Sequence, residues 1–326
     1  MINNLGLFHP YPIDRPLTDW EIAHRLEVSK PVPSAKSWPQ LSVIRMNSTY
    51  LECVDKFFPE KGIISAGSVT LIVTFVSLFL FVLYVTIDQW HNRADERVES
   101  IFALLFFFTA ATGIVLAAWF LILRYEIFRF THYPMRFNRK NRMVYVTRMD
   151  GTVMVESWDK LFFGLAQHNE EEPDDWCDIR GHRLAEDGKT VLETFALAVF
   201  GEMSNIGMFC QWEFIRRYME EGPQELVDDL GVVMDITDRR ESFWEGHDRL
   251  TAEIYGTPLY FIVFPVRIFY ALGRWFAMHT CKIPVWPEEV EKECQIEPND
   301  PYLRDRDHLA TTEEFRAAKA KNRIKR

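Results

Sequence analysis

A chain of 326 residues with 26% charged residues and a net charge of −10 has room for more than one domain. Its acidic balance speaks against a nucleic-acid partner. Five scattered cysteines, at 53, 177, 210, 281 and 294, are odd in number, unlike a disulfide framework, and agree with a cytoplasmic setting.

Residues 1–17, rich in proline and aromatics, read as an extended arm, and no secretory leader is visible in the first 30 residues. Thr18 and Glu21 have capping-box spacing and open a predicted helix of about ten residues, DWEIAHRLEV. Pro31, Pro33 and Pro39 keep the next stretch extended. Residues 41–58 are expected to begin as a strand and pass into an interfacial helix, with Phe57, Phe58 and Lys61 at headgroup level. The whole of 1–61 is read as an N-terminal cytoplasmic arm.

Two uncharged apolar runs follow, 62–87 and 100–123. Each exceeds the roughly 20 residues needed to cross a hydrocarbon core. They are joined by twelve polar residues, 88–99, and read as a transmembrane hairpin. No ionisable group lies inside either run, which disfavours a channel or pump. Ala110, Gly113 and Ala117 place small residues on one side of the second run, a packing face for the first helix or for a second subunit in a homo-oligomer. Seven basic residues against one acid in 124–148 put the flanks of the hairpin in the cytoplasm and its loop outside, giving a multi-pass inner-membrane protein with both termini cytoplasmic.

Residues 124–222 turn to short strands. The segments FRFTHYPMRF, MVYVTR and VMVESW are separated by Asn138–Asn141 and by Met149-Asp-Gly-Thr152, predicting a three-stranded meander. Residues 158–166 read as a short helix or bent strand, and a second hairpin turns at 186–188. Apolar residues spaced three and four apart predict a helix over 204–221, stopped at Gly222-Pro223. Strands closed by one long helix suggest a PH-like α+β domain. Residues 223–256 read as helical and acidic. Residues 257–280 are apolar but hold Arg267, Arg274 and Pro265, so an interfacial helix with both arginines turned to the headgroups, or a helix packed on the domain, is preferred over a third span. The extension 223–326 ends in a basic tail, most simply a solvated helix, with attraction to anionic lipid as the alternative.

The search for chemistry is mostly negative. No phosphate loop, nucleophile elbow, metal-ligand spacing or kinase set occurs, so no catalytic residue, metal or cofactor is assigned and the chain is not read as an enzyme. Arg136, Arg139, Lys140 and Arg142 gather at the first β turn. Either the orientation rule alone requires them, or the turn grips lipid headgroups.

Three stretches carry a family likeness: NSTYLECVDKFF, HYPMRFNRKNRMVYVTRMDGTVMVESWDKLFFGL and KIPVWPEEVEKECQIEPNDPY. Over residues 40–310 the chain resembles a bacterial family of two-span inner-membrane proteins of unknown function, commonly encoded beside type VI secretion effectors. The resemblance implies an immunity or accessory protein whose partner is a toxin or secretion component. The alternative is a membrane-docked scaffold or lipid-binding adaptor without a toxin. Only twelve residues face outward in this topology. That is too few for an interface of about 800 Å² per partner, so the cytoplasmic part is expected to meet the partner.

Overall fold

The computed structural model describes residues 11–305 except 34, 93–96, 168–175, 203–205, 228, 231, 252–253 and 255. The basic tail therefore lies outside the described residues. In chain order the elements are β1 (Arg15–Pro16), α1 (Asp19–Ala23), β2 (Arg25–Leu26), β3 (Val43–Met46), β4 (Tyr50–Cys53), α2 (Ile63–Asn92) and α3 (Arg97–Ala118). A π turn (Trp119–Leu123) leads into α4 (Arg124–Glu126). Then come β5 (Met135–Asn138), β6 (Met143–Thr147), β7 (Val153–Ser157), β8 (Phe162–Gln167), β9 (Trp176–Leu184), β10 (Thr190–Glu202) and α5 (Ile206–Glu220). The last three are α6 (Phe243–Thr251), α7 (Leu259–Thr280) and α8 (Glu288–Glu293), followed by an irregular strap to residue 305. The chain divides into two compact units.

The sheet unit draws on three segments, Met1–Pro59, Phe130–Glu241 and Ile283–Arg326. The expected meander forms: β5, β6 and β7 pair antiparallel in sequence, with Arg136 opposite Tyr145 and Tyr145 opposite Val155. Its turns are closed locally. The Asn138 side chain accepts the Lys140 amide at 3.0 Å, and Asp150 accepts the Thr152 amide at 2.9 Å. The meander is not the whole of its sheet. β4 pairs with β5, placing Glu52 opposite Arg136, and the order is β3-β4-β5-β6-β7. Residues 43–53, read from sequence as a strand leading into an interfacial helix on an arm, thus form a β hairpin of the sheet, and Phe58 is buried against His132 rather than held at headgroup level.

A second five-stranded sheet has the order β1-β10-β9-β8-β2. Its β9–β10 hairpin turns where expected, and the Thr190 hydroxyl with the amides of Thr190 and Lys189 holds the Asp187 carboxyl down to about 2. Thr18 and Glu21 make the reciprocal capping box, but α1 lasts only five residues before Arg25–Leu26 pair with β8. The region 158–166 resolves into a turn and β8, and α5 follows the predicted helix closely. Of 223–256, read as helical, only Phe243–Thr251 is helix among the described residues. The core joins both sheets and α5: Trp158 stacks on Trp212 at 5.8 Å, and Phe163 lies 4.8 Å from Trp212.

The helical unit comprises Glu60–Arg129 and Ser242–Lys282. α2 and α3 run antiparallel, with Phe79 against Phe108 and Glu126 back at Gly62. A third helix joins them, which corrects the two-helix reading: Ile63–Asp88, Val98–Ala118 and Leu259–Thr280 are all long and apolar enough to cross a membrane. α7 continues through Pro265 and packs on the first turn of α2. A Cβ on Gly273 would lie 2.5 Å from the Ala66 Cβ, and one on Gly62 2.1 Å from the Arg274 Cα, so glycine at both positions permits the approach. As a face against α2, the predicted small-residue set needs correction. Ala111 and Ala118, seven apart, are buried, whereas Gly113 and Ala117 are exposed and a Cβ on Gly113 would meet nothing.

Candidate functional site

The basic turn is the place to begin. Arg136 is not at a surface: its side chain is 1% exposed. The guanidinium lies between the rings of Tyr50 and Trp286, 4.6 and 4.7 Å from their centroids. It pairs with Glu52 at 3.2 Å and Glu291 at 3.0 Å, and Trp286 donates its indole N–H to the other Glu52 oxygen at 2.7 Å. Arg142 donates to Asp159 at 2.7 Å and to Glu220 at 2.9 Å, and Lys140 pairs with Glu297. Arg139 donates its amide to the Thr49 carbonyl, and its Nε is buried. The headgroup reading of Arg136, Lys140 and Arg142 is therefore corrected: their charges are spent on carboxylates of the same unit.

That cluster fastens the strap. Around it Asn138 donates to the Glu293 carbonyl at 2.8 Å, Tyr145 donates to Glu293, and Asp300 takes both the amide and hydroxyl of Ser48. Met46 and Arg304 exchange backbone hydrogen bonds of 2.9 and 2.7 Å. Glu52, Trp286 and Glu291 escaped the sequence reading because nothing in their spacing links residues 84 and 155 positions apart.

In the helical unit Arg274 is fully buried and donates to the Lys61 carbonyl at 3.1 Å, which corrects its assignment to the headgroups. Arg267 is half-buried on α7.

Two further clusters of charge lie inside the sheet unit. Lys56 and Arg180 both hold Asp178, and Arg180 stacks on Tyr11 at 4.6 Å. Burial, reinforced by Asp178, pushes the Tyr11 phenol up. The Asp55–Lys56 corner of this region opens into a shallow pocket shared with Tyr133, Thr147 and Phe195. In the second cluster the Thr194 hydroxyl lies 2.8 Å from His182 Nδ1, and His182 Nε2 lies 3.3 Å from Glu21. The sequence hydroxyl–imidazole–carboxylate is that of an activated nucleophile. Thr194 and His182 are 1% and 0% exposed, however, so no substrate reaches the hydroxyl and the arrangement is a closed packing motif. Arg15 clamps Glu21 with bonds of 2.8 and 2.7 Å. Burial works to raise the Glu21 carboxyl, but the hydrogen bonds from Arg15, His182 and the Thr18 amide outweigh it and hold it well below the usual range.

Among the described residues no group of three His, Cys, Asp or Glu is placed to hold a metal. All five cysteines are buried and reduced, and burial raises the Cys53 thiol away from reactivity.

No curated protein and no solved structure matches the chain. Residues 113–298, more than half of its length, match the model of a family of unknown function, DUF6708. The matched region runs from the middle of α3 to the strap, taking in β5–β10, α5 and the Arg136 partners Trp286 and Glu291. The chain belongs to the DUF6708 family.

Proposed function

We propose that the chain is a membrane-anchored binding protein. α2 and α3 fix it in the bilayer, and the sheet unit recognises a protein partner. The observation that carries this reading is the contrast between the two units. α2 and α3 turn large apolar side chains outward, among them Phe81, Phe102 and Phe106 at 63, 68 and 67% exposure. Among the described residues the buried charge clusters of the sheet unit are closed networks.

The sheet unit also supports an even number of crossings. It is assembled from residues before α2, between α4 and α6, and after α7. A bilayer cannot pass through one packed sheet, so these segments share one side. On this reading α2 and α3 leave and return, and α7 enters lipid without carrying the chain across. The basic excess after α3 supports the cytoplasmic face of a bacterial inner membrane as that side.

The family likeness of the sequence points to a toxin or secretion component of a type VI system as the partner, with immunity as the outcome. Detergent pulldown with the product of the neighbouring gene tests it. Co-purification, with loss of survival against a sister strain when the gene is deleted, is the expected result; unchanged survival sinks the immunity role. The order β5 to α5, strands closed by a long helix, favours a second reading, a PH-like adaptor that docks on lipid without a toxin.

A further inference from the structure

We infer that Arg124, Arg129 and Lys282 form a contact site for anionic phospholipid headgroups at the end of the helical unit. The inference rests on the membrane-anchor reading and deepens it by naming the lipid class. All three side chains are exposed. They are tied together: the Lys282 amide donates to the Arg129 carbonyl at 2.7 Å, and the Arg129 side chain donates through Nε to the Arg124 carbonyl at 3.1 Å. Two strands of chain far apart in sequence thus bring three cations to one patch. Among the described residues none of the three pairs with a carboxylate, in contrast to Arg136, Lys140, Arg142 and Arg148. Arg124 and Arg129 are thus the cations of the basic excess nearest the end of α3, and Lys282 adds a third just past α7.

Position supports the same ligand. Arg124 follows the π turn that ends α3, and Lys282 lies two residues past Thr280, the end of α7. The apolar surface of α3 runs straight into the patch through Trp119 and Phe120, 37 and 55% exposed. Phe128 stands 62% exposed between Arg124 and Arg129, 6.0 Å from Trp119. It holds φ at 57°, a left-handed conformation that a bulky residue rarely adopts. Aromatic rings beside lysine and arginine at the end of an apolar helix are the groups that sit between acyl chains and phosphates. Cations here face negative phosphate rather than the neutral lipid that the apolar surface alone requires.

The test uses the full chain in phosphatidylcholine vesicles carrying spin-labelled phosphatidylglycerol or spin-labelled phosphatidylcholine. The motionally restricted fraction of each probe reports lipid at the protein surface. The expected result is a several-fold preference for phosphatidylglycerol that weakens with added salt. It falls toward one in R124Q/R129Q/K282Q and persists in Lys140→Gln. Restricted lipid without preference, a preference insensitive to salt, or one unchanged in the triple variant overturns the headgroup site. The salt series needs no variant, so it decides even if the triple substitution fails to fold. Absence of restricted lipid for both probes overturns the anchor reading itself, and is thereby distinguishable.

Discussion

The carboxylate of Glu126 closes the first turn of α2 from 61 residues further along the chain, accepting the Ser65 amide at 2.6 Å together with the Ser65 hydroxyl and the Gly62 amide. A helix start leaves four amides without partners and carries a positive partial charge. A carboxylate there answers both needs, and it locks the end of α3 to the start of α2.

Glu126→Gln keeps the shape and removes the charge. Charge-assisted bonds to a helix start are stronger than neutral ones, so a loss of about 1–3 kcal/mol is expected. Ser65→Ala should cost less, and adding it to Glu126→Gln should cost little more, because the two share one interaction. Thermal unfolding in mild detergent measures all three. A Glu126→Gln variant that melts with the wild type would refute the capping role.

Arg136→Ala tests the strap. Removing the guanidinium leaves Glu52, itself 3% exposed, as a buried charge without its cation. Breaking such a pair from one side costs about 3–5 kcal/mol. Arg136→Lys is expected to recover little of it, since an ammonium cannot fill a planar slot between Tyr50 and Trp286. Hydrogen exchange supplies the specific readout. The amides of α8 should lose protection in Arg136→Ala while those of β9 and β10 keep theirs; uniform loss across the sheet unit would show a general destabilisation instead of a released strap.

What the sequence disclosed follows from range. The turns at 138–141, 149–152 and 186–188, the helix α5 and the Thr18–Glu21 cap are set by residues within a few positions of one another, and each was readable. The two apolar runs were readable because length alone marks them. Pairing of Leu51 with Phe137 was not, because β4 and β5 stand on either side of the helical hairpin and no local pattern records the register. Arg136 looked solvated because the Glu52, Glu291 and Trp286 that enclose it come from other parts of the chain. α7 was set aside as a span-length helix because Arg274 has no visible partner in sequence; its acceptor is a backbone carbonyl, which every residue has. Which side of α3 faces α2, marked by Ala111 and Ala118, is not legible, since an all-apolar helix carries no polar face to mark its outside.

Gly181 and Phe195 make a tight cross-strand pair in the second sheet. A Cβ at 181 would stand 2.4 Å from the Phe195 ring and 2.9 Å from Phe163. Gly181→Ala should therefore destabilise by about 1–3 kcal/mol through overpacking. Phe195→Leu alone should also destabilise, by leaving a cavity. Combined, the two should cost less than their sum, and a double-mutant cycle on thermal midpoints reads the coupling. Strict additivity would mean that the ring does not need the empty side of Gly181.

The Glu21–His182 pair sets an acid dependence of stability in two steps. Burial pulls His182 below the ordinary imidazole range; the contact with Glu21 opposes this, while Arg180 and Arg15 reinforce it. The unfolded chain takes a proton near pH 6.5 that the folded chain refuses, so stability falls as pH drops from about 7 to 5, by at most about 1.4 kcal/mol per pH unit. Glu21 acts lower. Its depressed carboxyl contributes stability above the unfolded value of about 4.3, lost as pH falls through the folded value. His182→Asn should flatten the step between pH 7 and 5 and leave the one below pH 4.5. Glu21→Gln should remove the lower step and weaken the cap of α1. Thermal midpoints of the detergent-solubilised chain from pH 7.5 to 3.5 separate the two, and a His182→Asn profile identical to the wild type above pH 5 would show that His182 takes its proton as readily folded as unfolded.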